Sequence, residues 1–381
     1  MRFLIAVAAW FAQLFYAAIK ALAPARHKIV FLSRQSDTPS RDFELLAEAL
    51  RMRDPDLEIV MRCRMLGESA GSRLVSALGM FGQMYHLATA RSCVVDGYVV
   101  PVSLLAHRDG LFVVQMWHAL GAIKKFGYQT VGKPGGRGAL IASAMKMHRN
   151  YDLVLCGGEA TVPVFAAAFG AEPSIVRPLG LPRIDYLLEH KDDARVRPVP
   201  PRVDALRRAF PVLADPDRTM VLYAPTFRRG GDHGYAEVVE RFAGERFTVM
   251  LKPHPLETAR IDGPNVANVG DRDILDLLPL CDVVITDYSA VAFEALVLDI
   301  PVYFYVHDID IYREENGLNF DPLADAPEIS SRDIDEIARR IEAGGAGPGH
   351  RLKERYLSAA DGGCTERIVE VIMDHTARGG A

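Results

Sequence analysis

Two histidines stand out because each follows an apolar run and sits beside cations. His118 follows Val113-Val114-Gln115-Met116-Trp117, and Lys124 and Lys125 come soon after it; His254 follows Phe247-Thr248-Val249-Met250-Leu251-Lys252-Pro253. An imidazole, with an ordinary pKa near 6.5, can take a proton from a hydroxyl at neutral pH. Prolines on both sides of His254, at Pro253 and Pro255, hold its backbone extended and fixed. A third segment runs Val283-Val284-Ile285-Thr286-Asp287-Tyr288-Ser289-Ala290 into a helical pattern containing Glu294. A helix start there would turn backbone N–H groups and a positive dipole end toward an anion such as a diphosphate. Arg228, in Tyr223-Ala224-Pro225-Thr226-Phe227-Arg228-Arg229, and Arg183, in Gly180-Leu181-Pro182-Arg183-Ile184-Asp185, add forks that suit phosphate oxygens. From Gly110 to Tyr151 there is no acidic residue, while Lys124, Lys125, Lys133, Arg137, Lys146 and Arg149 all fall within that stretch. Such a stretch attracts anions.

Each signal also has an ordinary reading. A histidine after a strand is often just a polar residue, Ser289 suits a plain helix cap, and the arginines suit surface turns.

The elements that must position these residues read as α/β. Short β-rich runs at Ile29–Leu32, Leu57–Met61, Cys93–Val95, Leu111–Val114, Leu153–Cys156 and Ile175–Val176 alternate with helical stretches, as in a parallel sheet covered by helices. A second series follows at Met220–Tyr223, Phe247–Leu251, Val283–Ile285 and Val302–Tyr305. The charged, proline-rich stretch 191–202 reads as a linker, so the expected domains are 25–190 and 203–360, followed by a helix and tail over 361–381. Two such domains place ligands at the carboxyl ends of their strands.

At 381 residues the chain fits two cores, and 49% hydrophobic against 24% charged residues is a globular balance. A net charge of −5 argues against a general nucleic-acid binder. Five scattered cysteines with no Cys-x-x-Cys pair suggest a reducing compartment. No acidic pair flanks a single position, so neither a metal nor a cofactor is expected.

Residues 1–24 open with an apolar run whose one polar side chain between Arg2 and Lys20 is Gln13. A membrane span, a secretory signal and a buried domain helix all compete. The preferred reading is a helix lying in the membrane plane, because Asp37 is the first acidic residue and the preceding cations suit anionic lipid.

In order, WHALGAIKKFG, GLPRID, YAPTFR, LKPHP and TDYSAVAFEA, followed by PVYFYVHDIDIYREENGLNFD, resemble the motif series of the CDP-glycerol glycerophosphotransferase family of teichoic-acid synthesis, over roughly residues 28 to 360. The resemblance implies a GT-B fold of two Rossmann-like domains facing a central cleft. It implies CDP-glycerol or a similar CDP-alditol as donor, an undecaprenyl-diphosphate-linked disaccharide as acceptor, CMP as product, and a peripheral place on the cytoplasmic face of the membrane. Its two histidines map onto His118 and His254 as catalytic residues. Arg228, Lys252, Thr226, Thr286, Asp287, Ser289, Ala290 and Glu294 fall to the donor side, with Ser289 at the diphosphate and Glu294 at the ribose, as in other GT-B enzymes. Trp117, Lys124, Lys125, Arg183 and Asp185 fall to acceptor or phosphate contacts. Trp117-His118-Ala119 departs from the Trp-His-Gly of many polymerising members and looks more like the primases, which add the first glycerol phosphate. Polymerase action, a ribitol donor, another GT-B glycosyltransferase or epimerase, and a secreted solute-binding protein are the rival expectations. A homo-oligomer is compatible with all of them.

Overall fold

The computed structural model describes residues 2–65, 70–134, 136–228, 232–254, 257, 259–344 and 349–378. Arg229 and Pro255, both singled out above, lie outside the described residues, as does the side chain of Arg2.

The strands run β1 (Lys28–Ser33), β2 (Glu58–Cys63), β3 (Ser92–Val95), β4 (Phe112–Gln115), β5 (Leu153–Leu155), β6 (Val176–Arg177), β7 (Thr219–Tyr223), β8 (Phe247–Leu251), β9 (Val266–Asn268), β10 (Val283–Thr286), β11 (Val302–Tyr305) and β12 (Ser330–Ser331). They form two six-stranded sheets, ordered β2-β1-β3-β4-β5-β6 and β12-β11-β10-β7-β8-β9. Every pairing is parallel. Central strands β1, β3, β4, β8 and β10 are buried along their whole length, as their Val- and Ile-rich runs require when helices cover both faces.

The helices are α1 (Arg2–Leu22), α2 (Arg41–Arg53), α3 (Ala70–Thr89), α4 (Val100–Leu104), α5 (Ala139–Ala144), α6 (Val162–Phe169), α7 (Pro182–His190), α8 (Pro201–Ala209), α9 (Tyr235–Phe242), α10 (Ile274–Leu277), α11 (Val291–Val297), α12 (Ile309–Glu315), α13 (Pro322–Asp325), α14 (Ile334–Glu342), α15 (Gly349–Tyr356) and α16 (Cys364–Arg378). Two compact units emerge. The first holds Met1–His118, Phe126–Arg183 and Ala359–Ala381; the second holds Ala119–Lys125 and Ile184–Ser358. Residues 191–202 thus lie within the second unit, and α16 belongs with the first. There α16 packs on α2, His375 stacks on Phe112 at 3.8 Å, and Thr376 Oγ1 meets Ser92 Oγ at 2.9 Å.

Helix α1 is long and apolar enough to cross a membrane by length and composition, and only 6% of its Ile5–Leu22 window is buried. Its outward residues include Trp10, Phe11 and Leu14, exposed by 61%, 60% and 55%. Its inner face is nevertheless tied to the first unit. Tyr16 is fully buried with its hydroxyl 2.8 Å from His107 Nδ1, and Gln13 Oε1 accepts from Ala106 N at 2.8 Å. Lys20 Nζ donates to Ala106 O, and Arg108 donates to the carbonyls of Lys20 and Ala23. These bonds make α1 part of the fold, with one face outward.

Candidate active site

In the first unit, β4 ends at Gln115, and the chain turns through Trp117 in a left-handed conformation (φ 61°) before presenting His118 on the surface. A side chain other than glycine rarely holds that conformation unless its surroundings fix it. Here the fixing group is the buried Gln115 amide. Its Oε1 accepts from Trp117 N at 2.9 Å, and its Nε2 donates to Gly97 O at 3.1 Å. The next carbonyl back, that of Asp96, lies 2.9 Å from His118 Nδ1. A carbonyl only accepts, so Nδ1 carries a hydrogen, and in the neutral ring the lone pair is then on Nε2. The bonds Gln115–Trp117 and Gln115–Gly97, together with His118–Asp96, therefore set both the turn and the tautomer. Trp117 stacks on Phe126 at 4.8 Å and meets Phe169 edge-on at 5.2 Å.

Beside this turn, Asp96 is 2% exposed; burial pushes its carboxyl up to about 6, opposed by a hydrogen bond to Ser33 and by Arg183 and aided by Asp42. Arg183 holds Asp42 from three sides. Its backbone N and its Nε reach the two carboxylate oxygens at 2.8 Å, and its Nη2 reaches Oδ2 at 2.5 Å. The fork expected on phosphate thus grips a buried carboxylate. Asp185 lies two residues on, half-buried in α7.

In the second unit the candidate residues follow four adjacent strands. Thr226 and Arg228 follow β7, Lys252 and His254 follow β8, and Asp287 and Ser289 follow β10; Asp308 follows β11. Parallel strands put all of these at the carboxyl edge of the sheet. Arg228 is the hub. Its Nη1 donates to Asp287 Oδ2 at 2.6 Å, while Nε and Nη2 donate to Asp308 at 2.6 and 3.0 Å. Burial opposes the guanidinium charge, yet the hydrogen bonds to Asp308 and the field of Asp287 raise its pKa overall. Tyr288 and Tyr312 stack at 3.9 Å beside it, and Tyr288 donates to Asp308 at 3.0 Å. Burial works against the Asp308 carboxylate, but Arg228 and Tyr288 hold it below the usual range. Arg228 therefore shapes the turn and has its fork filled by carboxylates. Asp287 also accepts Thr226 N at 2.8 and 3.0 Å and Tyr288 N at 2.5 Å.

Thr286 Oγ1 donates to Ala224 O at 2.7 Å, whereas the buried Thr226 Oγ1 has no hydrogen-bond partner among the described residues. Ser289 and Ala290 are half-buried ahead of α11, and Val291 N reaches Ser289 Oγ only at 3.5 Å, so Ser289 caps weakly. Glu294 is 3% exposed on α11. Lys252 Nζ donates to Gly270 O at 2.6 Å; burial lowers its pKa, opposed by Asp273 and Asp271. Burial, Lys124 and Lys252 depress His254, against the pull of Glu257, so its imidazole is neutral at neutral pH.

Lys124 joins this group because Ala119–Lys125 packs with the second unit. Lys125 N donates to Gly317 O at 3.0 Å, Lys124 pairs as a bridge with Leu318, and Asn319 N donates to Ile123 O at 2.7 Å. Gly121 is needed there, since a Cβ would meet the Phe293 ring at 2.8 Å. Surrounding protein lowers the Lys124 pKa, against Asp287 and with Arg228, although the residue keeps solvent access.

The model of the CDP-Glycerol:Poly(glycerophosphate) glycerophosphotransferase family matches residues 14–374. The chain belongs to this family. Among relatives of this glycerophosphotransferase-family protein, the teichoic acid ribitol-phosphate primase of Bacillus spizizenii is 32% identical over 96% of this chain and 95% of its own length. The teichoic acid glycerol-phosphate primase of Bacillus subtilis is 26% identical over 76% of this chain and 75% of its own. The solved wall teichoic acid polymerase TagF superposes with a TM-score of 0.73 at 16% identity, over 99% of this chain and 98% of that one, which shows the shared GT-B fold.

The strand ends of the second unit gather Thr226, Arg228, Lys252, His254, Asp287 and Ser289, and the first unit holds Trp117, His118 and Arg183, each group with partners to which the motifs gave no role. Asp308, Tyr312, Gln115 and Asp42 carry no local signature; Asp308 and Tyr312 lay within a quoted motif, and Gln115 within a quoted run, without a role. A second histidine, His233, accepts from Arg228 N at 3.1 Å and lies 2.7 Å from Glu257, and it stacks on Tyr235.

Proposed function

We propose that this enzyme moves an alditol phosphate, glycerol phosphate in the first instance, from its CDP-alditol to a hydroxyl of a polyprenyl-diphosphate-linked disaccharide, releasing CMP. The observation that carries this is the second unit's strand-end cluster. It gathers the cations Lys124 and Lys252, the neutral imidazole of His254, the unsatisfied Thr226 hydroxyl and the Ser289–Ala290 turn around an Arg228 whose own charge is already balanced. A diphosphate needs that set of donors.

His118 is the base. With Nδ1–H on the Asp96 carbonyl, Nε2 takes the proton of the acceptor hydroxyl as its oxygen bonds to the alditol-bearing phosphorus. The bond from that phosphorus to the CMP oxygen breaks, and the electron pair leaves with CMP. Transfer of this kind depends on positioning and on stabilising the equatorial oxygens. That task falls to His254, Lys124, Lys252 and Thr226. Arg228 acts through the Asp287 turn as a positioning residue. Trp117-His118-Ala119 and a primase relative matched over nearly its whole length favour addition of the first unit over polymerisation. The outward apolar face of α1 favours work at the cytoplasmic membrane surface.

One observation favours a second donor. The ribitol-phosphate primase matches at 32% over 96% of the chain, and the glycerol-phosphate primase at 26% over 76%. Full-length protein given CDP-glycerol or CDP-ribitol with lipid-linked disaccharide, read by mass, separates them. One added alditol phosphate and one CMP per acceptor is the expected result; a hexose increment, or no CMP, would sink the reading.

A further inference from the structure

The acid-free run Gly110–Tyr151 ends in a structure to which the proposed reaction assigns no role. Its last part walls a cavity of about 390 Å³ in the first unit, within the range of small-ligand sites. The 3₁₀ turn Gly127–Thr130, helix α5, the residues after α5 and the end of α6 all contribute. The walls are mostly apolar, with Tyr128, Phe169 and Met147 among them.

Three features mark the cavity as a built site. Lys146 and Arg149 are exposed at its edge, and no carboxylate pairs with either among the described residues. The backbone holds three non-glycine residues left-handed within five positions, Lys146 (φ 47°), His148 (φ 59°) and Asn150 (φ 69°). Strain of that kind persists where a surrounding structure fixes it and gathers at functional positions. Asn150 Nδ2 supplies the fixing bonds, to Val102 O at 2.9 Å and Leu105 O at 2.8 Å. Finally, His148 is 7% exposed and bonded to Tyr151 at 3.0 Å; burial and Arg137 push it down to about 3, so this wall is uncharged at neutral pH. The cations are therefore confined to the edge and the interior is apolar.

The wall helix α5 packs against α1, the helix with the outward Trp10, Phe11 and Leu14, and α5 itself exposes Ile141 by 38%. We propose that this cavity binds a phosphate or diphosphate carried on an apolar chain, the chain lying between Tyr128 and Phe169 and the phosphate at Lys146 and Arg149. This rests on the reading of a lipid-linked acceptor. Two sources share that chemistry, the prenyl diphosphate of the acceptor and an acyl phospholipid.

The test uses full-length Trp10→Phe protein in zwitterionic detergent, so that Trp117, 5.2 Å from Phe169 and 6.5 Å from His148, is the one tryptophan left to report. Farnesyl diphosphate, farnesol, inorganic diphosphate and dihexanoyl phosphatidylglycerol are titrated without donor. Farnesyl diphosphate should bind saturably and at least tenfold tighter than farnesol or inorganic diphosphate. Lys146→Glu and Arg149→Glu should each weaken it about tenfold, and Ser143→Phe, on the exposed lining, should abolish it. Equal or tighter binding of phosphatidylglycerol with the same variant pattern keeps the site and assigns it to bulk lipid. Binding unchanged in Ser143→Phe, or farnesol as tight as its diphosphate, overturns the proposal. Because no donor is present, failure here is separate from failure to turn over a CDP-alditol.

Discussion

Replacing Arg183 with alanine tests whether that motif arginine serves the fold or the substrate. Asp42 has 1% of its side chain exposed and Arg183 has 13%, so the pair is dry. The variant keeps the backbone N–H on Asp42 Oδ1 but removes both guanidinium bonds and the compensating charge. Breaking a buried pair on one side costs about 3–5 kcal/mol. The retained N–H and the place of Asp42 in the first turn of α2 favour the lower end, about 3 kcal/mol. For a unit of this size that is a fall of roughly 6–12 °C in Tm. Differential scanning calorimetry on wild type, Arg183→Ala, Asp42→Asn and the double variant measures it, and the double should lose less than the sum because it strands no charge. A Tm within about 2 °C of wild type, joined to a tenfold rise in KM for the lipid acceptor, would refute the reasoning and return Arg183 to the phosphate role its motif suggests.

Four further outcomes follow from the same geometry. His118→Ala and His254→Ala should each lower kcat by on the order of 10²-fold or more with Tm retained, and wild-type rates in either folded variant remove that residue from the mechanism. Gln115→Leu strands Trp117 N and Gly97 O, and should lower kcat about tenfold and displace the pH profile, with Gln115→Glu milder because it keeps the acceptor for Trp117; an unmoved profile speaks against tautomer control. His148, depressed to about 3, binds its proton more readily unfolded, so stability should fall as pH drops from 6.5 toward 3, by on the order of 5 kcal/mol in total. His148→Asn, which tolerates the left-handed backbone, should flatten that slope in acid melts, and an equally steep slope would rule the histidine out. Tyr16→Ala should loosen α1 and cost a few kcal/mol, seen as faster hydrogen exchange around His107, while a Trp10→Ser/Phe11→Ser pair should keep Tm and weaken flotation with anionic vesicles.

The sheets were legible because buried parallel strands read as unbroken Val and Ile runs, and the motifs marked the polar turns after them. Strands β9 and β12 escaped because Val266–Asn268 and Ser330–Ser331 are short edge pieces without a pattern. The site was legible as a set of positions and much less as a set of contacts. Arg183 and Asp42 are 141 residues apart, and Arg228 and Asp308 are 80. An arginine after a strand looks the same whether its fork meets a phosphate or a carboxylate, since both offer a pair of anionic oxygens at a spacing the fork accepts. The role of Gln115 was hidden for a similar reason, because a buried amide has no signature until the turn it holds is seen. At the N-terminus the hydropathy announced the outward face of α1. The Tyr16–His107 bond spans 91 residues, and nothing local reports it.

The first unit is built from three separate stretches of chain, and the second from two, with Ala119–Lys125 lent across from the middle of the first. No single cut in the gene releases either half whole. A fragment ending at Arg183 lacks α16, whose Thr376 and His375 meet β3 and β4, and a fragment beginning at Ile184 lacks the strip that carries Lys124. Neither half should be recovered as a stable product of limited proteolysis, and attempts to swap the second unit between relatives must move Ala119–Lys125 together with everything from Ile184 to Ser358.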